Sequence, residues 1–399
     1  MRNSFLDNKT SKNAALKKTI LGICIENGEQ SIGSLSEKLG ASVPTVTKLI
    51  VELMEDGFMT DLGKQGSAGG RRPSVYGLNP GAGYFVGVDI RNNHAAFALT
   101  DFKGNLLAFR DNIRFTLERN EESVRKVAAS IRRFFSEQDM DWENVLGVGV
   151  SLAGRVNRET GYSNNYSFDD RSIGSIIEEE LEVPVVLDND SRAMTYGEYL
   201  SGCVKKEKNV LFLNVSWGLG MGMILDGRLY YGASGYSGEF GHFPLLSNDV
   251  MCRCGKVGCL ETGASGSAIV RMVTTQLDAG RSSLLGAVYR KKGSIDLEDV
   301  FKAIKEEDVL AIEVVEEAGE TLGRALAGLI NVFNPELVVI GGKLATAGDY
   351  FLFPIRSTVK KHAQNIVNKD TTIKFSTLGS KAGPIGDCML SRSRLLGIL

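Results

Sequence analysis

Six cysteines in 399 residues are too few for a fold stapled by disulfides. No apolar run approaches the roughly 20 residues that a bilayer-spanning helix needs. Met1 to Thr10 is polar and charged, without the apolar stretch of a targeting segment. Net charge is also small: 46 Lys/Arg stand against 48 Asp/Glu, a formal balance of −2. These absences leave a soluble cytoplasmic protein as the expectation. The chain length fits two or three domains, and 43% hydrophobic residues can fill ordinary cores. What charge bias exists is local. Residues 1–80 hold ten Lys/Arg against eight Asp/Glu, and the remainder 36 against 40, so the N-terminal part is the one suited to meet an anion.

Three of the six cysteines fall within eight residues. Gly-Glu239-Phe-Gly-His242 is followed, nine residues on, by Cys252-Arg-Cys254-Gly-Lys-Val-Gly-Cys259-Leu-Glu261. One imidazole and three thiolates are a tetrahedral ligand set for Zn2+, and Gly255 and Gly258 permit the tight loop that would gather them. Four protein ligands leave no open position for water, so His242, Cys252, Cys254 and Cys259 predict a structural zinc. A chance grouping of structural thiols is the alternative.

The first 80 residues carry three helical patterns. Leu16, Ile20, Ile23 and Cys24 share one face between Asn13 and Glu26; Ile32 to Leu39 is short; and Ser42 and Pro44 open a third helix lined by Val46, Leu49, Ile50, Leu53 and Met54. Gly40-Ala41 turns between the second and third. This is a helix-turn-helix, whose last helix would present Thr45, Thr47 and Lys48 to a major groove. Two extended segments flank Gly63 to Pro73, a basic glycine-rich tip with Arg71 and Arg72, which reads as a wing reaching phosphates or a minor groove. The competing reading is a small three-helix protein-interaction module with a solvated basic loop. Asn79 to Gly83 is the expected linker.

Beyond it, strands Tyr84–Ile90, Ala95–Thr100 and Leu106–Arg110 form a meander, and Val210–Val215, Met221–Leu225 and Arg228–Tyr231 repeat it. Two meanders, each followed by α/β segments, predict a duplicated two-lobed α/β fold. Asp188-Asn189-Asp190 sits where a strand passes into a helix. On its residues alone this is a polar turn with Asp190 or Ser191 as cap.

The Gly-His and Cys-x-Cys-Gly-x-x-Gly-Cys-x-Glu pattern resembles the signature of the ROK family of repressors, open reading frames and kinases. Gly69-Gly-Arg71-Arg72-Pro73 resembles the wing of its repressor branch, and the resemblance covers residues 81–399 plus the N-terminal module. It implies an actin-like (ribonuclease H-like, duplicated) two-lobed sugar kinase fold, preceded by a mainly α winged helix-turn-helix. The implied domains are 1–80 for DNA binding, 81–200 with 383–399 for the first lobe, and 201–382 for the second lobe with its zinc loop. It further implies a sugar held by Gly154, Asn189, Asp190, Glu239, His242 and Glu261, with Asp190 as general base in the kinases. Ala153 and Arg155 depart from the family's Pro-Gly-Pro-Val.

The family's first phosphate turn reads Asp-x-Gly-Gly-Thr. Here it is Asp89-Ile-Arg91-Asn92-Asn93, without either glycine or the threonine. The second, Gly218-Leu219-Gly220-Met221-Gly222, has Leu219 in the usual threonine position, and Asn334-Pro335 and Gly341-Gly342 are intact. Backbone N–H groups need close approach to phosphate, which a Cβ and a long arginine obstruct. The expectation is therefore a catalytically inactive, sugar-responsive repressor that binds operator DNA as a homodimer or homotetramer. The alternatives are an ATP-dependent sugar kinase and a phosphosugar sensor in which Arg91 supplies the counter-charge.

Overall fold

The computed structural model describes Leu6 and residues 11–64, 73–169 and 171–399. In chain order the N-terminal module comprises α1 (Lys12–Asn27), β1 (Gln30–Ser31), α2 (Ile32–Leu39), α3 (Val43–Glu55), β2 (Met59–Lys64) and β3 (Ser74–Leu78). Then come β4 (Tyr84–Ile90), β5 (His94–Asp101), β6 (Leu106–Arg114), α4 (Glu121–Ser136), β7 (Val145–Leu152), β8 (Val156–Asn157), β9 (Tyr162–Ser163), α5 (Ile173–Leu181), β10 (Val185–Asn189) and α6 (Asp190–Ser201). The second half holds β11 (Val210–Val215), β12 (Leu219–Leu225), β13 (Arg228–Leu229), α7 (Glu261–Ala264), α8 (Gly266–Asp278), α9 (Leu285–Lys292), α10 (Leu297–Lys305) and α11 (Val309–Phe333). It continues through β14 (Leu337–Gly341), α12 (Asp349–His362), α13 (Asn365–Asn368), β15 (Thr372–Phe375) and α14 (Ala382–Leu395).

The chain separates into two compact units, residues 1–201 with 380–399, and residues 202–379. In the first, β4, β5 and β6 form an antiparallel meander and β7 and β10 add in parallel beside β4, giving the order β10-β7-β4-β5-β6. In the second, β11, β12 and β13 form the meander and β14 and β15 add in parallel, giving β13-β12-β11-β14-β15. The same topology appears twice, as the duplicated meander predicted. Each sheet carries its own core, Val88, Phe97, Val150 and Ile177 in one and Leu213, Leu322, Ile340 and Phe351 in the other, all nearly free of solvent.

The N-terminal module has the winged helix-turn-helix arrangement. Ser42 caps α3 by accepting from the Thr45 amide at 3.3 Å, and Val46, Leu49, Ile50 and Leu53 are buried along one face. Gly40 ends α2 in the left-handed region, where glycine alone is unstrained. β1, β3 and β2 form the wing sheet, of which β1 was not evident from the sequence. The expected linker is instead a bonded 3-10 turn, Pro80–Ala82. Asn79 donates from Nδ2 to the Gly57 carbonyl at 2.7 Å, and the Phe58 ring meets Phe102 edge-on at 5.2 Å between centroids. The module accordingly belongs to the same compact unit as the first lobe rather than standing apart.

α14 is buried along Ala382–Ser393 against the first sheet and against α6. Glycines make that approach possible. A Cβ on Gly386 would run into the Ala193 carbonyl, and one on Gly197 into the Ala382 carbonyl.

Candidate functional site

In the first unit, three adjacent strands set polar residues side by side. Asp89 on β4 and Asp188 on β10 are both register partners of Ser151 on β7, which lies between them. Asp387 of α14 accepts from Ser151 Oγ at 2.8 Å. All four are buried. Asp188 is neutralised by Arg192, whose Nε lies 2.6 Å from Asp188 Oδ1 and whose other end donates to the Val156 carbonyl at 2.8 Å. Asp89 has Arg91, Nε to Oδ2 at 2.8 Å. Asp89 Oδ1 and Asp387 Oδ1 are buried without a hydrogen-bond partner. Burial, then the charge of Asp89, pushes the Asp387 carboxyl well above the ordinary range.

Asn189 and Asp190 stand half-buried at the end of this row. Asn189 Oδ1 accepts from the backbone amides of Ser191 and Arg192 at 3.0 and 3.2 Å, so Asn189, rather than Asp190 or Ser191, caps α6. Its Nδ2 donates to the Gly154 carbonyl and to Asp190 Oδ1, both at 2.9 Å. Gly154 has φ 92°, and a Cβ there would strike the Asn165 amide, so this position requires glycine. The structure therefore brings Gly154, Asn189 and Asp190 together. Asp190 is pushed up to about 6, by burial first and by the charge of Asp89 second. Ala153 is half-buried and Arg155 exposed.

The turn after β4 is closed by the Arg91 amide, which donates to the His94 carbonyl at 2.8 Å. The Arg91 guanidinium is held on three sides: besides Asp89 it meets Asp111 Oδ1 at 3.3 Å and the Ser380 carbonyl at 3.0 Å. Burial alone would lower its pKa, but Asp89 and Asp111 outweigh that and leave it raised. Arg91 is thus a structural cation, not a free counter-charge.

In the second unit, His242 Nδ1 lies 3.5 Å from Cys252 Sγ, and Cys254 and Cys259 Sγ are 3.6 Å apart. All four ligand atoms fall within 4.8 Å of one another, so this cluster can hold a metal ion. Thiolates at the Zn–S distance of about 2.3 Å sit about 3.7 Å apart in a tetrahedron, close to what is found. The knuckle is tied by Cys252 N–H to the Lys256 carbonyl at 2.8 Å and by Gly255 N–H to the Cys252 carbonyl at 2.9 Å, with Gly255 and Gly258 both at positive φ. His242 Nε2 points the other way, 3.7 Å from Glu239 Oε2. Glu261 is half-buried, its Oε2 accepting from the Leu219 amide at 2.9 Å, which locks the metal loop to the glycine-rich strand β12. A side chain on Gly218 would meet the same carboxylate.

On α3, Thr45, Thr47 and Lys48 are exposed, as is Val43. The two hydroxyls bond locally, Thr45 with Ser42 Oγ and Thr47 with the Val43 carbonyl, each at 2.8 Å. Arg71 and Arg72 lie outside the described residues. Sequence reasoning did not single out Ser151, Arg192, Asp387 or Arg392. A usable signal was Gly383-x-x-Gly386-Asp387, small residues with an acid in an otherwise apolar segment.

Two repeated meander sheets behind a winged helix-turn-helix define a protein with an actin-like body and a DNA-binding module. The ROK family model matches residues 85–394, and the chain belongs to that family. It is 28% identical to the xylose repressor of Bacillus subtilis over 374 residues, 93% of each chain. A glucokinase of Halalkalibacterium halodurans is 30% identical over 312 residues, 76% of this chain and 93% of that one. A solved ROK family transcriptional regulator, described as a homologue of the E. coli MLC protein, superposes with a TM-score of 0.82 at 25% identity, covering 96% of this chain and 97% of that one. Among the described residues no helix is long and apolar enough to cross a membrane.

Proposed function

We propose that this chain is a sugar-responsive transcriptional repressor without kinase activity. Operator DNA would be read by Thr45, Thr47 and Lys48 of α3 and gripped by Arg71 and Arg72. The residues we assign to the sugar are Gly154, Asn189, Asp190, Glu239, His242 and Glu261. His242, Cys252, Cys254 and Cys259 would hold a structural zinc, which supplies rigidity to the loop carrying Glu239 and Glu261. The working form would be a cytoplasmic homodimer or homotetramer on an operator with similar half-sites.

The observation that carries this reading is the Asp89–Arg91–Asp111 arrangement at the first phosphate turn. A guanidinium pinned between two carboxylates occupies a turn that a kinase must keep open to phosphate. Full-length similarity to a xylose repressor, helix-turn-helix included, agrees with it. The glucokinase likeness accounts for the body alone and favours shared architecture over shared chemistry.

The first unit also offers a route from sugar to DNA. Asp190 opens α6, α6 packs on α14, and Arg392 of α14 donates to the carbonyls of Phe102 and Lys103 at 3.1 and 2.7 Å. That same turn meets the DNA module through Phe58 and through Lys103, 3.9 Å from Glu29. Sugar that prefers one setting of α6 would bias the module by linkage. The direct test is fluorescence anisotropy of an operator duplex, selected from random sequence, titrated with and without sugars. Specific binding relieved by one sugar supports the reading; sugar-dependent ADP formation by the native chain would replace it with a kinase.

A further inference from the structure

The charges around Asn189 and Asp190 bear on what kind of sugar the site accepts. Four carboxylates gather there, Asp89, Asp188, Asp190 and Asp387, with two guanidinium groups, Arg91 and Arg192, among them. Both cations are already paired with carboxylates. Arg192, buried, bonds Asp188 and the Val156 carbonyl. Arg91 commits Nε to Asp89, one terminal nitrogen to Asp111 and the other to the Ser380 carbonyl. The helix N-terminus that anions often use is closed as well. The amides of Ser191 and Arg192 at the start of α6 already donate to Asn189 Oδ1, and Ser191 donates also to Asp190 Oδ1 at 2.7 Å. Asp89 Oδ1 and Asp387 Oδ1 are both buried and unpartnered.

We infer that the effector is an unphosphorylated sugar, and that this acidic floor excludes the corresponding phosphate ester. A phosphate dianion needs convergent cationic donors, and the two guanidinium groups here are already paired with carboxylates; it would also meet the charges of Asp190 and Asp89 with little water to screen them. Neutral hydroxyls face no such conflict, since each can donate to a carboxylate oxygen. The inference rests on reading Gly154, Asn189 and Asp190 as the sugar site, and the test separates the two.

The experiment is isothermal titration of the full-length protein at pH 7.5 with aldopentoses, aldohexoses and N-acetylhexosamines, each beside its terminal phosphate ester. At least one free sugar should bind, with its phosphate ester at least tenfold weaker. Asp89→Asn releases Arg91 from its nearest partner and removes a negative charge, so the gap between the two should narrow at least threefold. Asp111→Asn, at a half-buried position outside the aspartate row, should act in the same direction and serves if Asp89→Asn does not fold. A phosphate ester that binds as tightly as the free sugar, or a gap unmoved by either variant, overturns the electrostatic exclusion and leaves the sugar site standing. Binding of no sugar and no ester overturns the site itself.

Discussion

Arg91 Nε donates to Asp89 Oδ2 at 2.8 Å, so the arginine of the turn after β4 is held by the carboxylate at the end of that strand. The guanidinium is thereby built into the structure rather than left dangling. ATP would have to displace a guanidinium from two carboxylates and a carbonyl before its phosphates reached backbone N–H groups. The expected outcome is no ADP formation with any aldose under Mg-ATP in a coupled assay. Restoring the turn with Arg91→Gly, Asn92→Gly and Asn93→Thr should allow detectable nucleotide binding, although Leu219 still stands in the second turn. ADP production by the native protein that vanishes in Asp190→Ala would contradict the assignment.

The acid at Asp190 gives a pH signature with opposite signs for stability and for binding. Burial, then Asp89, raises this group to about 6 from an ordinary 3.8. The folded state therefore holds its proton through a window where the unfolded chain has lost it, and the contribution of Asp190 to stability falls as pH rises from about 4 to about 6. Sugar hydroxyls donate best to the ionised form, so affinity should rise across pH 5 to 7 and level off above. Asp190→Asn should weaken binding by about 1–3 kcal/mol and flatten that pH profile. A native profile flat from pH 5 to 8 argues against Asp190 as a ligand.

The metal loop is tested by chemistry alone. Protein purified without added metal should contain close to one zinc per chain, and Cys254→Ser should lower that occupancy. Loss of the ion frees Glu261 from its place against the Leu219 amide, so thermal stability should drop by at least about 5 °C and sugar binding should fail with it. Cys254→Ser protein retaining full zinc and stability would refute the ligand set.

DNA binding should carry the mark of phosphate contacts. Arg71→Ala with Arg72→Ala should weaken binding to every duplex and reduce the slope of log affinity against log salt by about 2. Substitutions at Thr45 and Thr47 should instead change which sequence is preferred, since both sit exposed on α3. An unchanged salt slope in the double arginine variant would exclude the wing.

How much of this was legible in advance follows from how local each feature is. The metal loop spans Gly238 to Glu261 and declares itself through ligand spacing, and the two meanders through alternating apolar strands bounded by turns. The helix-turn-helix was readable for the same reason, with Ser42, Pro44 and Gly40 marking its ends. α14 was not. Its apolar stripe is masked because it is buried along nearly its whole length, with Asp387 and Arg392 among the buried residues. Their partners lie far away in sequence, Ser151 at a separation of 236 and Phe102 at 290. The engagement of Arg91 was hidden likewise, since Asp111 and Ser380 become its neighbours only once the sheet and α14 are in place.

Arg392 offers the sharpest test of how the body speaks to the DNA module. It is buried, its Nε has no partner, and loss of solvation lowers its pKa to about 10, so the fold bears a cost for keeping it there. What it secures is the turn at Phe102 and Lys103, against which Phe58 and Glu29 of the DNA module rest. Arg392→Met keeps much of the volume, removes the buried charge and frees that turn, with two carbonyls losing a donor at about 1–3 kcal/mol each. If α14 carries the signal, the variant should bind sugar with near-native affinity and bind operator DNA, yet sugar should no longer release the DNA. Titrating sugar against a preformed operator complex reads this directly. Release at the native midpoint and amplitude would show that the coupling runs by another route.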